Sequence, residues 1–173
     1  MSPGPGAFIR KRSGWLDSYL MLKLVHILSA VVLAGTGIGI AFFMFMANRS
    51  KDIHAIAVTA RHVVLADWIF TTPAIILQLL TGIGLMKVLG WSFASPWFVA
   101  VIGLFVLIGA CWIPVVLIQY QLREIAKAQP ETAVIEARFR QLMHRWTVLG
   151  ILAFTGIVIM FWLMVMKPLA VTS

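Results

Sequence analysis

The sequence predicts an all-α integral membrane protein, a single antiparallel bundle of four transmembrane helices. Four apolar stretches carry this reading, at about 19–47, 62–89, 95–122 and 146–167. Each reaches the roughly 20 residues that a helix rising ~1.5 Å per residue needs to cross a hydrocarbon core of ~30 Å. Composition agrees, because 61% apolar and 12% charged residues leave too few polar side chains to cover a soluble domain. No stretch shows the apolar/polar alternation of a membrane barrel, so helices must satisfy the backbone in lipid.

The elements follow in order. Residues 1–18 are expected to form a disordered tip, since Pro3-Gly4-Pro5-Gly6 punctuates its start. Arg10, Lys11 and Arg12 before an apolar run imitate a secretory signal, but the run from Leu20 to Met46 exceeds the ~7–15 residues of a signal core and reads as an uncleaved first helix. A single four-helix domain then fills 19–168. In the second helix Thr72-Pro73 predicts a kink, with threonine hydroxyls available to the freed carbonyl. Cys111, Trp112 and Pro114 suggest a bend in the third. Residues 123–145 are amphipathic, mixing Glu124, Lys127, Glu136, Arg138 and Arg140 with Ile125, Val134, Ile135 and Phe139 around Pro130. They are expected to extend both flanking helices past the membrane and to lie on the lipid surface.

Charge narrows the partners. The chain has 14 Lys and Arg against 6 Asp and Glu, but the cations flank the apolar segments, so anionic lipid headgroups and not nucleic acid are the expected partner. The first and third loops hold Arg49, Lys51, Arg61, Arg123, Lys127, Arg138, Arg140 and Arg145, whereas the loop from Gly90 to Pro96 is aromatic and nearly uncharged. This predicts a bacterial inner membrane protein with periplasmic termini. The one cysteine, Cys111, excludes an intrachain disulfide and a cysteine-only metal cage.

Titratable groups inside a membrane cost roughly 2.5–3.5 kcal/mol on insertion scales, which makes each a functional candidate. His26 lies two turns into the first helix, with Ala30, Ala34 and Gly37 following at helical spacing as a groove of small side chains. Such a groove suits a planar macrocycle, with His26 as axial ligand of a b-type haem. It suits another helix equally, for Gly35 and Gly39 have the small-xxx-small spacing of tight packing and a buried histidine can bond a neighbouring hydroxyl. On the second helix Asp67, Thr71, Ala74, Gln78 and Thr81 form one polar seam, with Asp67 either a proton relay or substrate-binding carboxylate, or structurally paired with Arg61, His62 or His144. His26 and His62 lie at opposite membrane levels, roughly 30 Å apart by helix rise, and cannot share one iron. His62 and His144 share a level and are the alternative haem ligands. The methionines lack a repeated metal-binding spacing and read as packing.

The segments LKLVHILSAVVLAGTGIGIAFF, RHVVLADWIFTTPAIILQLLTGIGLM, GACWIPVVLIQYQLR and HRWTVLGILAFTGIVIMFWLMVMKP resemble a bacterial family of four-helix integral membrane proteins of unknown function. Leu22-Lys23-x-x-His26-Ile27, Pro73-Ala74 with Thr81-Gly82, and Lys167-Pro168 are also similar to the HemJ-type protoporphyrinogen oxidases, haem-associated membrane proteins of porphyrin synthesis. Their first-helix histidine matches His26, which implies a porphyrin or haem there. The chain departs from that pattern at Gly109-Ala110-Cys111-Trp112 and at Gly35-Thr36-Gly37.

Two function classes follow. One is a haem-binding redox protein working with a quinone or redox partner protein, with His26 as ligand and the Asp67 to Thr81 seam handling protons. The other is a non-enzymatic membrane component, a small transporter or assembly subunit, whose buried polar residues hold helices together or line a polar path. A homo-oligomer is compatible with both.

Overall fold

A computed structural model describes residues 5–127 and 133–167. It is an all-helical bundle of four membrane-spanning segments. The first is α1 (Pro5–Ser50). The second comprises α2 (Ile53–Ala66), a π-helical turn (Asp67–Thr71) and α3 (Thr72–Leu89). The third is α4 (Pro96–Lys127) and the fourth α5 (Ala133–Met166).

Boundaries depart from the sequence reading at two places. The helix starts at Pro5, so residues 5–18 belong to α1 and only residues 1–4 of the expected tip lie outside the described part. Proline is tolerated in a first helical turn, and no further proline follows to stop propagation. The second segment starts at Ile53 instead of 62, because the Asp52 side chain caps it by accepting from the His54 backbone N–H at 2.9 Å. His54 therefore sits in the first turn of α2.

Elsewhere the local chemistry is the one the residue types dictate. Pro73 has no N–H to give, and the π turn forms just before it. The Thr72 hydroxyl donates to the Asp67 carbonyl at 2.9 Å, alongside the Thr72 backbone N–H. Gly90 ends α3 at φ 67°, a left-handed conformation that glycine adopts without steric cost. Its N–H bonds the Lys87 carbonyl at 3.2 Å, and the Trp91 N–H bonds Met86 at 3.1 Å, the paired bonds of a Schellman cap. The helices on either side of 123–145 do run on, α4 to Lys127 and α5 from Ala133, while Pro130 falls outside the described residues.

Packing is uneven along the bundle. α1 lies against α2 and α3, α2 against α4, and α4 against α5, whereas α1 and α5 meet over a short stretch only. At the end near the first and third loops the helices close around Met44, Ala60, Val115, Leu122, Met143 and Trp146. At the other end they close around Met86, Trp97, Val101 and Leu163, where the Trp97 indole donates to the Leu163 carbonyl at 2.9 Å and Lys167 lies 4.5 Å from the Trp91 ring centre. Side chains such as Val165 and Ile151 point outward, an inside-out pattern that suits lipid as solvent.

Close approach is built on glycines other than the expected packing pair. A Cβ at Gly82 would stand 3.4 Å from His26 Cε1, one at Gly84 3.2 Å from Leu22, and one at Gly156 2.7 Å from Ile108 Cγ1. Gly35 and Gly39, the expected packing pair, have nothing within 4 Å of a Cβ. Their face of α1 is not used by the chain's own helices.

Candidate functional site

Between the two closed ends the bundle is hollow. A cavity of about 640 Å³ lies in the middle, lined by all four spanning segments. α1 contributes Ala30, Leu33, Gly37, Ile40 and Ala41, the second segment Asp67, Thr71, Ile75 and Gln78. α4 adds Phe105, Gly109, Trp112 and Gln119, and α5 adds Trp146, Gly150, Ala153, Phe154 and Met160. Ile38, Phe42 and Phe45 of α1 and Ile151 and Phe161 of α5 also border it while pointing largely outward. The gap between α1 and α5 is therefore a lateral mouth opening toward lipid.

One end of this apolar chamber is polar. Asp67, Thr71 and Gln119 are buried, at 4%, 7% and 1% exposure, and all face the cavity. The Trp112 indole donates to Asp67 Oδ1 across a long 3.4 Å. Thr71 and Gln119 approach the same carboxyl, yet Asp67 Oδ2, Thr71 Oγ1 and Gln119 Oε1 lack a well-formed hydrogen bond, as does Trp146 Nε1. Burying such groups unpaired costs roughly 1–3 kcal/mol each, so most native polar groups avoid it and exceptions call for a cause. Asp67 makes no ion pair among the described residues. The structural pairing with Arg61, His62 or His144 is replaced by the Trp112 contact.

His26 occupies a different place. Its Nδ1 lies 2.9 Å from Thr81 Oγ1, and its Nε2 lies 2.9 Å from Gln78 Nε2. The Thr81 hydroxyl donates to the Leu77 carbonyl at 2.5 Å, so it accepts from Nδ1–H, and the Gln78 amide donates to Nε2. Gln78 Oε1 in turn accepts from the Ser29 hydroxyl at 2.6 Å. Both ring nitrogens are used. The imidazole clasps α1 to α3 and is not part of the cavity wall.

That placement bears on the haem expectation. Ala30 and Gly37 do line the cavity, but Ala34 does not, and His26 offers no free lone pair toward it. Ligation of iron would require Gln78 to leave Nε2, so the residues as arranged do not fit a His26-ligated haem. His62 is exposed on α2. His144 is exposed on α5, in a groove beside Pro114, Leu117 and Gln121 of α4. No hydrogen bond links the two, and no group of three or more metal-binding side chains exists among the described residues.

The expected seam is divided by this arrangement. Asp67 and Thr71 belong to the polar end of the cavity, Thr81 to the histidine clasp, and Gln78 touches both. Gln119 and Trp146 were not singled out from sequence. A scan for ionisable residues passes over amides and indoles, although Gln119 interrupts the uncharged run 95–122 just as Gln78 interrupts 62–89.

Residues 20–168 match the model of a family described as a predicted integral membrane protein, DUF2269. No curated protein and no solved structure matches the chain.

Proposed function

As the chain belongs to the DUF2269 family of predicted integral membrane proteins, we propose that it binds an amphiphilic molecule taken sideways from the bilayer, acting as a carrier or presenting subunit without chemistry of its own. One observation carries this reading: the 640 Å³ chamber is walled by apolar side chains of all four segments and ends on buried, unpaired polar atoms. Apolar enclosure with a few convergent polar groups is the usual form of a small-molecule site. The side mouth between α1 and α5 admits a lipid-soluble guest without passage through water. The redox reading has less support, since His26 is engaged on both nitrogens.

The test is photolabelling in phosphatidylcholine nanodiscs with a diazirine-bearing decanol. Adducts should concentrate on residues that border the chamber, Gln78, Gly150 and Phe154 among them, over lipid-facing Val165 and Ile76. Gly150 has open space around it, so Gly150→Phe should fill the chamber and remove the inner adducts. Labels spread over the outer surface alone, unchanged by Gly150→Phe, would overturn the proposal.

A further inference from the structure

Resting on that reading, we infer that the guest is a primary amine: an apolar body carrying an ammonium head, seated against Asp67, Thr71 and Gln119. Three buried oxygens at the polar end lack a hydrogen-bond partner, Asp67 Oδ2, Gln119 Oε1 and the Thr71 hydroxyl Oγ1. They come from two different spanning segments and all face one chamber. An alkylammonium head brings three N–H donors on a single atom. It also brings the positive charge that would hold Asp67 as a carboxylate, for which the described residues supply no cationic partner. An alcohol would offer a single donor and no charge.

The lining excludes the opposite head. It contains no Lys, Arg or His, so a phosphate, sulfate or carboxylate would meet Asp67 with nothing to compensate it. The indoles of Trp112 and Trp146 stand at the same end, and aromatic rings favour cations by their quadrupole. Trp146 Nε1, an unpaired donor that cannot accept, would be used by an acceptor next to the ammonium, as in an amino alcohol. Substrate selection thus lies in donor count as well as charge.

Competition against the decanol photolabel in the same nanodiscs tests this on the full chain. At neutral pH and equal membrane concentration, decylamine should displace the inner label at least tenfold more effectively than decyltrimethylammonium, which has the charge without N–H donors. Decyl sulfate should not displace it. Asp67→Asn, which keeps the shape, should bring decylamine down to the level of decanol while the label itself still enters. Gln119→Leu should weaken decylamine several-fold and serves if Asp67→Asn does not fold. An inner label displaced equally by decylamine, decyltrimethylammonium and decanol would overturn the amine inference and leave the chamber reading standing. Absence of the inner label from the wild type would remove both.

Discussion

His26 and Gln78 meet nitrogen to nitrogen at 2.9 Å, a contact that is a hydrogen bond only because the Thr81 hydroxyl has fixed the proton of the ring on Nδ1. The histidine is therefore a two-sided clasp between α1 and α3. Interhelical hydrogen bonds in membranes average ~0.6 kcal/mol and reach ~1.7 kcal/mol. A double-mutant cycle with His26→Leu and Gln78→Leu should give a coupling within that range. Zero coupling, read from unfolding in mixed micelles, would contradict the clasp.

The same contact makes a spectroscopic prediction. Protein purified from haem-replete cells should show no Soret band that depends on His26, because Nε2 is already occupied. A band lost in His26→Leu but kept in Thr81→Val would mean that the ring turns from Gln78 to iron, and would restore the redox reading.

Topology can be read with reporters. The short connections at Lys51–Asp52 and at Trp91–Ser95 join neighbouring antiparallel segments, so fusions after residues 51 and 92 should report opposite sides. With the cations of the first and third loops as guide, the fusion after residue 51 is expected to report the cytoplasm and that after residue 92 the opposite side. Equal signals at both positions would contradict the four-span architecture.

The spans were legible in the sequence because length and hydropathy alone decide whether a helix can cross lipid. Helix ends were less so: the cap at Asp52 and the propagation of α1 to Pro5 depend on single side chains and on helix cooperativity, which hydropathy does not weigh. The site was legible in part. Asp67 and Thr71 stood out as polar groups in an apolar run, but the hollow they face arises from how α1 and α5 diverge, and no local pattern records that. Small residues misled for the same reason. Gly35 and Gly39 have packing spacing without a partner helix, while Gly82 and Gly156 have neighbours that only the fold supplies.

Gly90 carries a strain prediction. Its φ of 67° would cost an L-residue roughly 1–2 kcal/mol. Gly90→Ala should lower stability by about that amount, and Gly90→Asn by less, since asparagine tolerates the left-handed region. No Cβ clash adds to the effect, because nothing lies within 4 Å. Equal stability of all three chains in denaturant titration would show that the cap is not formed.

Gly156 tests packing instead of conformation. It is helical, so alanine there gains up to ~1 kcal/mol in helix propensity. Against this, the added Cβ would stand 2.7 Å from Ile108 Cγ1 and 3.3 Å from its Cδ1. The isoleucine is branched at Cβ and stiff about χ1, so Cγ1 can retreat only by leaving its rotamer or by parting α4 from α5. Overpacking of this kind costs roughly 1–3 kcal/mol, which outweighs the propensity gain over most of its range. Gly156→Ala should therefore destabilise by about 1 kcal/mol. Gly103→Ala on α4, where nothing lies within 4 Å, keeps the propensity gain without the clash and should be neutral or stabilising. Ile108→Val should not rescue Gly156→Ala, because it retains a Cγ1 at the contact, whereas Ile108→Ala in the same background should. If Gly156→Ala proves as stable as Gly103→Ala, α4 and α5 do not pack at the distance seen here.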